Sequence, residues 1–260
     1  TQSHVLPRDE AMIKTRVRTW ISAGAFALIT PFVVQAQIFN GVDISTGIVA
    51  PGAGTPNTTA SRNSMLAALG ATPFTTNNLE SVGTGLTVNL GGGVTATYTF
   101  FSASGGVISG DDVQFGYNTT PGGSKFLRFA ATPGLSGTMT LNFATAINFF
   151  GGYFTGVENV CGVTTATWGA TSAVLKNSNG GATCNGTAGI QWFGFVAPAS
   201  AAFNSVTFNQ VPGAGPSDFW GLDDFIYGSR AVTVSPEPST YLLMLGALSV
   251  LGVAARRRRA

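Results

Sequence analysis

The sequence predicts an all-β sandwich over residues 37–235, and three observations lead to it. Only 9% of the 260 residues are charged and glycine occurs 35 times, a composition that suits short strands and turns better than helices. Hydrophobic residues make up 44% of the chain and phenylalanine occurs 19 times, so the chain can bury a core and is not disordered. Apolar runs recur at short intervals with turn residues between them, which is typical of a sandwich or barrel rather than of βαβ units.

The elements follow in chain order. A lead-in over 37–59, rich in Gly, Pro and Thr, predicts loop, and one short helix is expected over 61–69, capped by Ser61 and ended by Gly70. Three glycines at 91–93 separate two apolar runs and indicate a β-hairpin. Strands are predicted at 86–90, 94–101, 113–117, 125–130, 137–143, 147–154, 164–168, 173–176, 190–196, 205–208 and 219–227.

Both ends of the chain predict processing signals. Residues 12–36 have a basic start, an apolar stretch and small residues before a cleavage point, so we expect signal peptidase to cut between Ala36 and Gln37. Residues 1–11 are expected to be an upstream extension without function, which makes 1–36 the leader segment. A transmembrane anchor is the alternative, but the apolar run is short for a span and contains Pro31.

The other end, 236–260, combines three features in order. Pro236, Glu237 and Pro238 precede an apolar run over 241–255, which four arginines follow. The run predicts a short transmembrane helix, and the arginines would hold its far end in the cytoplasm. This arrangement resembles the PEP-CTERM sorting signal of Gram-negative bacteria. The resemblance implies export, processing at the Pro-Glu-Pro motif by a membrane exosortase, and a host that makes extracellular polysaccharide. A simple tail anchor is the alternative.

Charge and residue types exclude several function classes for the 37–235 segment. Eight acidic and five basic residues give it a net charge of −3, which argues against a nucleic-acid partner. The one histidine, His4, lies in the leader, so Ser-His-Asp and Cys-His catalysis and a zinc site are not expected in this segment. A carboxylate pair for glycoside hydrolysis stays open, but no hydrolase motif is present, and we predict a protein that is not an enzyme.

The two cysteines, Cys161 and Cys184, fall in the exported segment. An oxidising compartment favours a disulfide between them, which would contribute about 3 kcal/mol in the chain-entropy model. Two free buried thiols are the alternative, and a metal pair without histidine is a weaker one.

Adjacent carboxylates in a strand pattern are the most unusual polar feature. Asp223 and Asp224 would repel each other unless something compensates, and Ca²⁺ is an ordinary solution. The 219–227 segment resembles the last strand of jelly-roll carbohydrate-binding modules, in which an early-strand glutamate lies near the same structural calcium. That resemblance implies a jelly-roll-like sandwich and matches the glutamate to Glu80. The alternative is a solvated acidic pair with Glu80 as a surface residue.

Aromatic side chains leave two interpretations open. Tyr153, Trp168, Trp192, Trp220 and Tyr227 could form a face on which sugars stack, but aromatic residues at alternating spacing are first expected in a core. The resemblance of the tail to the PEP-CTERM signal implies an exported, exosortase-sorted surface or matrix protein, which we expect to be structural or adhesive and associated with exopolysaccharide. A carbohydrate-binding module with structural calcium is the alternative function.

Overall fold

The computed structural model of the protein describes residues 35–45, 47–100, 104–111, 115–130, 135–156, 162–175, 189–212, 219–230 and 244–248. These residues belong to one unit, Gln35–Ala260. The predicted leader up to residue 34, both cysteines (Cys161 and Cys184) and the 236–238 motif lie outside the described residues.

The body of the described chain contains one helix and thirteen strands, and a five-residue helical stretch, 244–248, follows in the tail. In order they are β1 (Gln37–Ile44), α1 (Pro56–Leu69), β2 (Thr75–Asn77), β3 (Asn89–Gly91), β4 (Val94–Thr99), β5 (Gly106–Ser109), β6 (Lys125–Ala130), β7 (Gly137–Ile147), β8 (Phe149–Thr155), β9 (Gly162–Trp168), β10 (Thr171–Val174), β11 (Gly189–Val196), β12 (Phe203–Pro212) and β13 (Phe219–Gly228).

The strands form two antiparallel sheets, so the predicted all-β sandwich is confirmed. The seven-stranded sheet has the order β1-β11-β8-β13-β6-β5, with β2 also paired to β13. The six-stranded sheet has the order β10-β9-β12-β7-β4-β3. The predicted hairpin at 91–93 is confirmed as the β3–β4 pair, and all three of its glycines have positive φ, which other residues rarely adopt.

Two hydrophobic clusters hold the layers together. The larger lies between the sheets and includes stacked pairs such as Phe129–Trp220 and Trp168–Phe195. The smaller cluster lies on the other face of the seven-stranded sheet, where Met65 and Leu69 of α1 cover Trp192. Strands β8 and β11 of the seven-stranded sheet are therefore buried on both faces, and helix, sheet and sheet form three layers.

The helix begins earlier than the sequence predicted. Instead of starting at Ser61, α1 starts at Pro56, a favourable residue for the first turn. Buried Asp43 of β1 accepts hydrogen bonds from the backbone N–H groups of Asn57 (3.1 Å) and Thr58 (2.7 Å). A carboxylate from another element thus caps the helix, and it also complements the positive end of the helix dipole.

Close approach of α1 to the sheet requires glycine at one cross-strand pair. Gly151 of β8 is paired with Gly194 of β11, and the sulfur of Met65 fills the space above them. A Cβ on Gly151 would lie 2.8 Å from that sulfur and 2.7 Å from the Trp192 ring, and one on Gly194 would also meet Met65. The pair of glycines forms the socket that receives the helix.

Two further predictions are corrected. The lead-in contains β1, an edge strand paired with β11 that begins at the residue after the predicted cleavage point. Strand β5 was not predicted, and the described part of the predicted strand 113–117 forms an isolated turn and bridge rather than a strand.

In the tail, residues 244–248 are helical and exposed. Among the described residues, no helix is long and apolar enough to cross a membrane.

Candidate functional site

A bulge in β13 creates the most polar buried site. Trp220 and Leu222 face the core between the sheets, so in a regular strand Asp224 would face it as well. The pairing with β8 shifts register between Asp223 and Ile226, and Asp224 has a φ of 45°. The extra residue brings Phe225 to the core position and leaves both aspartates to bond the loop outside the sheet.

The partner strand is interrupted at the same point. β6 pairs with the first part of β13, at Phe219–Leu222, and β2 pairs with the last part, at Phe225–Tyr227. The loop 117–124, which leads into β6, fills the gap between them. The resemblance implied that an early strand carrying Glu80 meets the 219–227 strand; β2 pairs with β13, and Glu80 itself lies in the turn that follows β2.

Hydrogen-bond donors from this loop surround the two aspartates. Oδ2 of Asp223 accepts from the backbone N–H groups of Thr119 (2.7 Å) and Thr120 (3.1 Å) and from both threonine hydroxyls. Asp224 accepts from the Thr120 hydroxyl at 2.7 Å and from the Thr119 hydroxyl at 3.3 Å. The aspartates therefore fix the loop against the sheet.

Asp223 is fully buried, and its second oxygen, Oδ1, forms no hydrogen bond with a described residue. Burial raises the pKa of Asp223 to about 7, and the neighbouring Asp224 adds to the rise, while the Thr119 N–H opposes it. The unpartnered Oδ1 is the oxygen at which a proton would disturb no existing donor. Near neutral pH this carboxyl exchanges between its charged and neutral forms.

Glu80 holds the other end of the same loop. Its Oε1 accepts from the Asn118 side chain at 2.9 Å and from the backbone N–H groups of Ser124 and Lys125 at 2.9 and 2.8 Å. Lys125 returns two bonds from its ammonium to the carbonyls of Glu80 and Val82. Glu80 thus joins the two ends of the loop, at Asn118 and at Ser124, and the two aspartates hold the part between them at Thr119 and Thr120.

This arrangement bears on the calcium hypothesis. N–H and O–H groups donate to Oε1 of Glu80, to Oδ2 of Asp223 and to Asp224. A Ca²⁺ ion needs oxygen ligands around it, whereas these neighbours present hydrogen-bond donors. Among the described residues, no group of three or more His, Cys, Asp or Glu side chains could hold a metal ion. The contacts favour carboxylates that position a loop, and calcium binding stays a prediction.

A cleft of about 240 Å³ opens beside the bulge. Its polar wall contains Arg62 of α1, Tyr153 of β8 and Asp224, together with Thr76 and Thr119. Apolar side chains complete the wall, namely Ala50, Pro51, Pro121 and Ile226. No local pattern predicted this cleft, because Arg62, Tyr153 and Asp224 are far apart along the chain.

Charges of both signs meet at Tyr153. Burial raises the pKa of the Tyr153 hydroxyl, Arg62 lowers it and Asp224 raises it, so the phenol stays protonated and can both donate and accept. The guanidinium of Arg62 lies 5.7 Å from the centre of the Trp192 ring. It forms no hydrogen bond or ion pair with a residue in the described ranges, so its donors are open to the cleft.

The five aromatic residues considered for sugar stacking belong to the core. Trp192 and Trp220 have no exposed surface, Trp168 is 2% exposed, and Tyr153 and Tyr227 are 6% exposed. Their ring faces contact other side chains rather than solvent. The described structure therefore favours the core interpretation of these residues.

The outer face of the six-stranded sheet carries an uncharged hydroxyl and amide array, which we call the threonine face. Strands β4, β7, β12, β9 and β10 alternate apolar residues inward with short polar residues outward. Register aligns the polar residues in rows across the sheet, and one hydroxyl pair within a row, Thr140–Thr207, lies 2.9 Å apart. The face consists of Thr95, Thr97, Thr99, Thr138, Thr140, Asn142, Thr165, Thr167, Ser172, Ser205, Thr207 and Asn209.

The two sheets define a β-sandwich, and the comparisons with known proteins bear on its sorting. Residues 236–259 match the model of the PEP-CTERM protein-sorting motif. The chain is therefore an exosortase substrate that is exported and passes through a membrane-anchored intermediate. No curated protein matches the chain. Among solved structures, the K2 cleaved adhesin domain of Lys-gingipain is similar at 15% identity and a TM-score of 0.40, over 62% of this chain and 100% of that one.

Proposed function

We propose that this protein is a structural or adhesive component of the cell surface or extracellular matrix that associates with exopolysaccharide. Signal peptidase first removes the leader after Ala36, and exosortase then processes the tail at the 236–238 motif. The sorting motif supports the exported part of this proposal. The threonine face supports the matrix-associated part, and it is the observation that carries the proposal.

The chemistry of the threonine face suits a hydrated neutral polysaccharide. Its members are exposed or half-exposed and carry no charge, and each hydroxyl can donate one hydrogen bond and accept others. Strands lie ~4.8 Å apart, so a row of side chains presents a polar group at each strand. A linear glycan laid across the strands would meet such groups at a spacing comparable to the length of one sugar residue.

The test removes hydroxyls from the central row. A variant with valine at Thr97, Thr140, Thr167 and Thr207 is expected to lose retention in the exopolysaccharide of its host, measured as the fraction co-sedimenting after washing. The matched control has serine at the same four positions, which keeps every hydroxyl, and is expected to be retained like the parent protein. Equal retention of the valine and serine variants would contradict a role for this face.

We also propose a role without catalysis. The acids that resemblance or pattern singled out, Glu80, Asp223 and Asp224, all accept hydrogen bonds from one loop and hold it in place. A dedicated carbohydrate-binding module is the second candidate function. Its usual sign, exposed aromatic platforms, is missing from the five aromatic residues considered, so a polar cleft would have to supply the binding.

A further inference from the structure

We propose that the cleft formed by Arg62, Tyr153 and Asp224 binds a single neutral sugar residue, at an end or branch of a polysaccharide chain. The inference deepens the proposed function and rests on it for the source of the ligand. The cleft is separate from the threonine face, because its polar residues stand on the outer side of the other sheet and on α1.

The three polar groups offer complementary hydrogen bonds to neighbouring hydroxyls of a sugar. Arg62 supplies guanidinium donors that no described residue takes up. Each oxygen of Asp224 accepts one bond from a threonine hydroxyl and keeps a lone pair for a second. The Tyr153 hydroxyl can donate or accept, so one sugar hydroxyl can give its proton to Asp224 while its neighbour accepts from Arg62.

The positions of these groups are fixed before any ligand arrives. Asp224 is held by the bulge and by Thr120, while the Tyr153 ring packs edge-on against Trp192 at 4.9 Å between centroids. The Arg62 guanidinium lies over the same Trp192 ring. A preorganised site spends less binding free energy on ordering its own side chains.

Charge and shape select the class of ligand. The cation of Arg62 and the anion of Asp224 offset each other formally, and Asp223 lies directly behind Asp224, so an anionic group gains little from entering. Apolar walls at Pro51, Pro121 and Ile226 suit the C–H faces of a sugar ring. The volume of about 240 Å³ is below the usual range for drug-sized pockets, which fits one residue rather than an oligosaccharide.

The full-length protein in detergent is titrated with D-glucose, D-galactose, D-mannose and D-glucuronate. Binding is measured by isothermal calorimetry and by tryptophan fluorescence, because Trp192 lies beneath Arg62 and its emission should change when the cleft is occupied. We expect at least one neutral hexose to bind. Asp224→Asn and Arg62→Gln are expected to weaken that binding at least about tenfold, because each removes a charge-assisted hydrogen bond. Tyr153→Phe, which keeps the ring and the fold, should weaken it several-fold.

The matched control is Arg230→Gln, the same substitution at an arginine that lies outside the cleft, and it should bind like the parent protein. Absence of hexose binding, preference for glucuronate, or binding unaffected by Tyr153→Phe would each overturn the cleft. Co-sedimentation with host exopolysaccharide separates this inference from the proposed function. If the parent and the three cleft variants co-sediment equally and no hexose binds, the sugar site is refuted and the matrix role is retained. If the parent does not co-sediment, the matrix role is refuted, and the hexose titration alone decides whether the cleft binds a sugar.

Discussion

Stability should depend on pH through one buried carboxyl, that of Asp223. Its pKa is raised from the usual 3.8 to about 7 by burial, so between these values the folded protein binds more protons than the unfolded chain. The contribution of Asp223 to the free energy of unfolding is therefore greatest below about pH 4, falls as the pH rises towards 7, and is constant above that. At 1.36 kcal/mol per pKa unit, the full effect is about 4 kcal/mol.

The assay compares the parent protein with Asp223→Asn by urea denaturation from pH 4 to pH 8.5. The difference between their unfolding free energies at each pH removes the contributions that the two proteins share and leaves the contribution of Asp223. The variant should gain on the parent by up to about 4 kcal/mol across this range, since asparagine stays neutral while the parent buries a charge. Thr97→Asn, at an exposed residue without a titratable group, serves as the control and should show no such change. A difference for Asp223→Asn that is constant with pH would refute the reasoning.

Further predictions concern the helix, its socket, the cysteines and calcium. Asp43→Ala should cost about 1–2 kcal/mol in urea unfolding, because two backbone N–H groups of α1 lose their acceptor. Gly194→Ala should cost about 1–3 kcal/mol in the same assay, because the new methyl meets Met65; an unchanged midpoint would show that the helix can move away. Reduction of a Cys161–Cys184 disulfide should lower thermal stability by about 3 kcal/mol, and mass spectrometry that finds two free thiols would rule the bond out. Chelation by EDTA should leave the melting temperature unchanged, because hydrogen-bond donors surround the acidic groups; a fall on chelation would restore the calcium site.

Local patterns predicted the strands whose residues alternate or form continuous apolar runs. β6 begins and ends where the sequence placed it, and the apolar runs near 150 and 193 became the central strands β8 and β11, which are buried on both faces. Both cases depend on information within a few residues, which a single sequence carries. The hairpin at 91–93 belongs to the same group, because three consecutive glycines fix the turn.

Features that depend on distant partners were not predictable in the same way. The start of α1 is set by Asp43, which lies 14 residues before Asn57 in the chain. A local capping pattern could therefore indicate only Ser61. β1 was missed because Ile38 and Ile44 are exposed while the charged Asp43 is buried beneath α1, so the strand lacks the alternation of buried apolar and exposed polar residues. Burial of the tryptophans likewise depends on which layer covers each face.

The bulge at Asp224 shows how one local irregularity organises the candidate site. A regular strand would place Asp223 and Asp224 on opposite faces, and one carboxylate would then enter the aromatic core between the sheets at a large desolvation cost. The sequence pattern already contained this conflict, since the alternating apolar residues Trp220 and Leu222 are out of phase with Phe225 and Tyr227 beyond the acidic pair. The inserted residue resolves it by shifting the inward phase from Leu222 to Phe225, and the same shift ends the pairing with β6 and admits the loop 117–124. That loop contributes Thr119 and Pro121 to the cleft, so the interrupted strand pairing and the cleft both originate from the bulge at the acidic pair. A substitution that straightens β13 should therefore abolish the interruption and the cleft together.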